Sequence, residues 1–173
     1  METNLKSLIR DIPDFPKKGI TYKDITPLLL DPEAMKTAVD RFIENLPDVK
    51  IHKVVGIESR GFFFATLLAE KLNAGFIPVR KPGKLPHHTH SEDYDLEYGT
   101  DTLEIHEDAI NKGENVLLHD DVLATGGTAA ATCKLIERGG GKIVHCNFLV
   151  ELEFLEGKRK LENYDVSSLI KYS

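Results

Sequence analysis

The chain of 173 residues is 41% hydrophobic and 29% charged, the balance of an ordinary folded domain rather than of a disordered chain. Its 22 Lys and Arg against 28 Asp and Glu leave a formal charge of −6, which gives no general attraction to nucleic acid or to an anionic membrane. No apolar run approaches the ~20 residues of a membrane helix, and the start, Met1-Glu2-Thr3-Asn4-Leu5-Lys6, is acidic early without an apolar centre, so it does not read as a signal peptide and the expected compartment is the cytoplasm.

The length suits one domain with a core that needs no disulfide. Leu5, Leu8 and Ile9 recur at helical spacing, which predicts a short helix over 3–10. Pro13, Pro16 and Gly19 interrupt it, and residues 20–25 read as extended. Asp31-Pro32-Glu33 is a helix start, with an N-cap, a proline in the first helical position and an acid in the first turn. Ala34, Ala38, Phe42 and Leu46 follow at helical spacing, so 32–46 is expected to be an amphipathic helix.

A strand over 53–57, a polar turn Glu58-Ser59-Arg60-Gly61, a helix over 62–73 and a strand over 76–80 make a βαβ unit. The pattern returns with a strand at 115–120, a helix at 128–138 and a strand at 142–150. A helix at 153–161 and a strand at 166–170 complete it. Short buried strands alternating with helices predict an α/β fold, a central and mostly parallel sheet flanked by helices. Ligands of such sheets bind beyond the carboxyl ends of the strands. Between the two units, residues 81–101 carry Pro82, Gly83, Pro86 and Gly99 with little apolar content. A polar connection of that length reads as a mobile lid, in which 92–105 could pair as a loose hairpin. Cys133 and Cys146 form no CxxC pattern and read as buried free thiols.

The stretch most informative about chemistry is 116–131. Val116, Leu117 and Leu118 are a buried strand, and Asp120 and Asp121 end it. Thr125, Gly126, Gly127 and Thr128 supply hydroxyls and permissive backbone, and Ala129, Ala130 and Ala131 begin a helix. Free amides at a helix start form a phosphate cradle. Carboxylates cannot bind phosphate, but they accept hydrogen bonds from sugar hydroxyls or hold a cation. An acid pair beside a phosphate cup points to a phosphorylated sugar.

His119-Asp120-Asp121-Val122-Leu123-Ala124-Thr125-Gly126-Gly127-Thr128 resembles the 5-phosphoribosyl 1-pyrophosphate loop of the type I phosphoribosyltransferases. Phe15-Pro16 with Gly19-Ile20-Thr21-Tyr22-Lys23-Asp24-Ile25-Thr26-Pro27, Gly56-Ile57-Glu58-Ser59-Arg60-Gly61-Phe62, Arg80-Lys81-Pro82-Gly83-Lys84-Leu85-Pro86 and Leu96-Glu97-Tyr98-Gly99 narrow the resemblance to the adenine phosphoribosyltransferases. Those segments come in the family's order and span essentially the whole chain.

The resemblance implies a single domain over 1–173, with a small N-terminal hood at about 12–27 and the lid at about 81–101. It implies purine salvage, in which adenine and 5-phosphoribosyl 1-pyrophosphate give AMP and pyrophosphate with magnesium. The ion is expected to ride mainly on pyrophosphate and ribose oxygens, with no all-protein metal site. Ala124, Thr125, Gly126, Gly127 and Thr128 are expected to bind the 5′-phosphate. Asp120 and Asp121 are expected to hold the ribose 2′- and 3′-hydroxyls and to stabilise an oxocarbenium-like transition state. Ser59 and Arg60 match the pyrophosphate loop, where members of such families can carry a cis peptide, here between Glu58 and Ser59. Lys84 in the lid hinge is a further candidate for pyrophosphate, and Glu97 matches the lid glutamate proposed as general acid/base.

The backbone of Thr21 and Lys23 is expected to read the amino edge of adenine and Tyr22 to pack on its face. Tyr22 departs from the phenylalanine common there. His87-His88-Thr89-His90 is a second departure and reads as a solvated lid segment rather than a metal site. A sister enzyme for hypoxanthine, guanine or xanthine would use the same loop, although hood and lid favour adenine. A regulator that senses the sugar diphosphate without catalysis is disfavoured by the acidic charge and the lack of a basic helix. The resemblance also implies a homodimer, and no nucleic-acid or membrane partner is expected.

Overall fold

The computed structural model describes residues 4–96 and 98–173, and the chain packs as two units that divide between residues 44 and 45. In the first unit a 3-10 turn at Leu5–Leu8 precedes strand β1, Arg10–Ile12. β1 pairs antiparallel with β2, Tyr22–Asp24, with Ile12 opposite Tyr22. The helix expected over 3–10 is thus reduced to one 3-10 turn within the described residues. Ladder bonds to β2 hold residues 10–12 extended, a non-local gain that outweighs local helical spacing. Helix α1 is Thr26–Leu29 and α2 is Pro32–Glu44. Asp31 caps α2 as expected, its Oδ1 accepting from the amides of Glu33 at 3.0 Å and Ala34 at 3.1 Å. Ala34, Ala38, Val39 and Phe42 form its buried face. The helix ends before 46 because Leu46 precedes Pro47, which disfavours helical backbone at the residue ahead of it.

The second unit contains β3 (Lys53–Ile57), α3 (Gly61–Lys71), β4 (Gly75–Val79), β5 (Thr89–Asp95), β6 (Thr100–His106), β7 (Asn115–Leu123), α4 (Gly127–Arg138), β8 (Lys142–Leu152) and β9 (Val166–Tyr172). Five strands form one sheet in the order β4-β3-β7-β8-β9, every neighbouring pair parallel. Residues adjacent in β7 face opposite sides. Leu118 joins Val55, Phe148, Ala129 and Leu135 in the core beneath α4. His119 turns the other way, its ring centroid 6.2 Å from that of Phe64 on α3. The expected flanking of a parallel sheet by helices is therefore present.

β7 is longer than the strand expected over 115–120. Val122 and Leu123 still pair with Val150 and Glu151, so the two acids stand inside the last part of the strand rather than after it. Leu123, 1% exposed, is core. The helix expected over 153–161 is instead two 3-10 turns, Glu153–Leu155 and Gly157–Leu161, separated by Glu156 at φ 52°. A left-handed residue cannot continue a right-handed helix.

β5 and β6 form a regular antiparallel hairpin from Thr89↔His106 to Asp95↔Thr100, wider than the loose pairing expected over 92–105. It is strapped to α4. Glu92 meets Lys134 at 3.2 Å and Arg138 at 2.6 Å, and Arg138 donates to the Ser91 carbonyl at 2.6 Å. Cys133 and Cys146 are buried and free, as expected. Among the described residues no helix is long and apolar enough to cross a membrane.

Candidate functional site

The carboxyl end of β7 runs into a hollow lined by Asp120, Ala124, Thr125, Gly126 and Thr128 among others. Gly126, at φ 79°, is the N-cap of α4 and gives it no side-chain cap. Left-handed backbone is cheap only for glycine, and here it turns the chain sharply from strand to helix. The amides of the first helical turn have no partner within the helix, and the absent cap leaves them to an external acceptor. Thr125 is exposed, Ala124 and Thr128 are half-buried, and Gly126 and Gly127 are buried. All five residues expected to bind phosphate are thus gathered in one turn.

Asp120 and Asp121 lie side by side beneath that turn, and the Asp121 amide donates to Asp120 Oδ1 at 2.9 Å. Burial, then the negative charge of Asp121, push the Asp120 carboxyl well above the usual carboxylate range, with Arg60 pulling the other way. Arg60 reaches Asp121 directly, Nε to Oδ2 at 2.5 Å. Two turns expected separately from sequence are therefore joined by an ion pair that sequence reasoning did not contain.

The Glu58–Ser59 peptide is cis, as the resemblance allowed. Gly61 then starts α3 so close to β7 that a Cβ there would stand 2.8 Å from Asp120 Oδ1. Ser59 and Arg60 are exposed at the head of α3. Glu58 organises cations around them. It accepts from the Lys81 amide, from Lys84 Nζ at 2.8 Å, and faces Arg80 at 3.6 Å. Burial works to raise its pKa, but the Lys84 and Lys81 hydrogen bonds and the charges of Lys84 and Arg80 outweigh it, so the carboxyl lies below the usual range. Lys84, expected from the lid hinge, is thus beside the 58–60 turn. Lys81 is held instead by Asp101 and Tyr94.

Two features had no sequence signal of their own. His119 is fully buried, with Nδ1 2.7 Å from Asn147 Oδ1. Burial lowers its pKa to about 4 against the support of Asn147 and Asp121, so it is neutral behind the acid pair. Gly61 looked like an ordinary turn glycine, and only its approach to Asp120 gives it a purpose.

In the other unit, Tyr22 packs edge-on against Phe15 with centroids 5.2 Å apart, and the Phe15–Pro16 peptide is cis. Lys23 Nζ lies 2.7 Å from Asp11 Oδ1, so its side chain is engaged within β1 and β2, and Thr21 is exposed. Glu97 lies outside the described residues. The His87 ring lies 5.1 Å from that of His88 and meets that of His106 edge-on at 6.0 Å, but among the described residues no three His, Cys, Asp or Glu side chains are arranged to hold a metal ion.

Comparison with known proteins agrees with this geometry. Residues 28–171 match the phosphoribosyl transferase domain family. The chain is 80% identical over 169 residues to the adenine phosphoribosyltransferase of Christiangramia forsetii, covering 98% of this chain and 99% of that protein. The crystal structure of adenine phosphoribosyltransferase from Thermoanaerobacter pseudethanolicus superposes with a TM-score of 0.94 at 52% identity, covering 97% of this chain and 98% of that one. The enzyme of Giardia lamblia complexed with 9-deazaadenine superposes with a TM-score of 0.93 at 40% identity, over 98% and 97% of the two chains.

Proposed function

Because the chain belongs to the phosphoribosyltransferase family, and within it to the adenine phosphoribosyltransferases, it transfers the 5-phosphoribosyl group of 5-phosphoribosyl 1-pyrophosphate to adenine, and we propose how its residues divide that work. Ala124, Thr125, Gly126, Gly127 and Thr128 hold the 5′-phosphate through helix-start amides and the two hydroxyls. Asp120 and Asp121 accept hydrogen bonds from the ribose 2′- and 3′-hydroxyls. As N9 of adenine forms its bond to C1′ and the C1′–O bond to diphosphate breaks, positive charge grows on the sugar, and the two carboxylates stabilise it. Ser59, Arg60 and Lys84 receive the departing pyrophosphate. Glu97 takes the N9 proton. The products are AMP and pyrophosphate, and the reaction serves purine salvage.

The observation that supports this division is the Arg60–Asp121 contact of 2.5 Å, which brings the cation proposed for diphosphate next to the carboxylate proposed for ribose. On the family resemblance the hood, residues 12–27, recognises the base through Thr21, Tyr22 and Lys23, and residues 81–101 act as the lid. The donor set also fits magnesium carried mainly by substrate oxygens. The acid pair offers two carboxylates, and Arg60 already engages one of them, which leaves most of the ion's coordination to substrate oxygens. Bound there, magnesium would neutralise diphosphate charge as it leaves.

The enzyme is read as a cytoplasmic homodimer. Exposed Phe63 and Leu67, one turn apart on α3, are an apolar stripe suited to a second copy, and light scattering tests this. The decisive assay measures pyrophosphate release with adenine, guanine and hypoxanthine in parallel. With 5-phosphoribosyl 1-pyrophosphate and magnesium present throughout, release with adenine but not with guanine or hypoxanthine is the expected result, and no adenine-dependent release overturns the reading. Glu97→Ala is expected to lose most of kcat with little change in substrate binding, and near-normal turnover removes Glu97 from the mechanism.

A further inference from the structure

We propose that Gly157 is a positioning residue for the sugar-phosphate loop, its bare backbone forming the seat against which residues 124–126 are held. This rests on the reading of residues 124–128 as that loop. The crowding is reciprocal. A Cβ on Gly157 would fall inside van der Waals contact of the Ala124 carbonyl oxygen and 2.8 Å from the Gly126 nitrogen, and a Cβ on Gly126 would collide with the Gly157 carbonyl. The two segments meet main chain to main chain, with no room for a side-chain carbon from either.

The need for glycine at 157 is spatial rather than torsional. Gly126 has left-handed backbone, but Gly157 does not. Gly157 is buried between exposed Glu156 and Lys158. It opens the 3-10 turn that ends at Leu161, which is 0% exposed in the core shared with α4. The turn is thereby pinned at its far end and pressed onto the loop at its near end. Gly157 does not line the hollow itself. It acts through the loop, fixing where the Gly126 amide and the left-handed turn stand, and so where the phosphate donors point. A cradle of backbone amides has no side-chain rotamers with which to correct a misplacement, and small errors of position are costly in such sites.

The test uses the full chain and two probes that separate the halves of the substrate, ribose 5-phosphate for the loop and inorganic pyrophosphate with magnesium for the 58–60 turn. In Gly157→Ala, calorimetric affinity for ribose 5-phosphate is expected to fall at least about tenfold, which is 1.4 kcal/mol or more, while pyrophosphate affinity is unchanged. Lys158→Ala is expected to leave both unchanged. Equal loss of both probes indicates general unfolding rather than positioning and counts against the proposal. Unchanged ribose 5-phosphate affinity in Gly157→Ala overturns it. Failure of the unaltered protein to bind ribose 5-phosphate overturns the loop reading itself, and the two failures are thus distinguishable.

Hydrogen exchange on the unaltered protein needs no variant to fold. Ribose 5-phosphate is expected to slow exchange over 157–161 as well as over 124–130, and pyrophosphate to leave 157–161 as it was. Protection confined to 124–130 would also overturn the proposal.

Discussion

Arg60 and Asp121 are 61 positions apart in the chain, yet Arg60 Nε lies 2.5 Å from Asp121 Oδ2. The carboxylate side chain is 6% exposed and the guanidinium 43%, so a buried acid is balanced by a cation that keeps one side in solvent. The parallel pairing of β3 with β7 makes this possible, because it sets Gly56 beside His119 and so ends both strands at the same edge of the sheet. The turn after each strand then opens onto the same space.

Arg60→Ala removes the proposed diphosphate contact and strips Asp121 of this partner. Breaking a fully buried pair costs about 3–5 kcal/mol. Here the exposed side of Arg60 is screened by water, so a loss of about 1 kcal/mol in stability is expected. The kinetic loss is expected to be larger, roughly 100-fold or more in kcat/KM for the sugar diphosphate. Urea melts and steady-state kinetics on Arg60→Ala, Asp121→Asn and the double variant check both figures, and additive effects in that cycle would mean the two residues work independently.

Gly61→Ala adds a methyl group 2.8 Å from Asp120 Oδ1. The carboxylate or the start of α3 has to move. Overpacking of this kind costs about 1–3 kcal/mol, and the displaced group is one of the two acids of the site. The expected result is a fall in kcat out of proportion to the change in melting temperature. Normal kcat in a destabilised variant would show that the approach of α3 to β7 serves packing alone.

His119 gives acid stability a definite sign. Burial depresses its folded pKa from 6.5 to about 4, so below the unfolded pKa the unfolded chain binds a proton that the folded chain refuses. Stability from this residue is complete above about pH 6.5, falls as pH drops towards about 4, and then levels, for a total of roughly 3 kcal/mol. Unfolding by urea at pH 7, 5.5 and 4.5 should show this slope in the natural protein and a shallower one in His119→Gln. Equal slopes would assign acid sensitivity to other groups.

Glu92 holds the β5–β6 hairpin to α4 through Lys134 at 3.2 Å and Arg138 at 2.6 Å. Its side chain is 15% exposed while those of its partners are 65% and 45% exposed, so the pairs are worth about 1 kcal/mol or less in global stability. Their local effect is expected to be clearer. Glu92→Ala should speed amide exchange across Thr89–Asp95 while leaving the parallel strands unchanged. Identical exchange in the hairpin would mean that apolar packing, with Leu103 and Ile105 each 1% exposed, holds it without the strap.

Much of the molecule was legible because its signals are local. The Asp31 cap, the helical spacing of Ala34, Ala38 and Phe42, and the alternation of short apolar strands with helices each arise from residues within a few positions of one another. So do the acid pair, the permissive glycine turn and the helix start of 120–128, which belong to one continuous segment. The misjudged elements were those where a distant partner overrode a local preference. Residues 10–12 became a strand because β2 lies opposite them. β7 ran on to Leu123 because β8 continued to pair with it. The 153–161 segment broke into two 3-10 turns around a left-handed Glu156.

By itself, then, the sequence determined the parallel α/β plan and the glycine turn that leads from β7 into α4, because backbone propensity, periodicity and turn chemistry act over a few residues. Tertiary structure decided which separated groups became neighbours. Arg60 met Asp121, Lys84 met Glu58, Gly61 met Asp120, and Gly157 met the backbone of Ala124 and Gly126. Those contacts follow from strand register and from close packing between main chains, and neither quantity is written in any short run of residues.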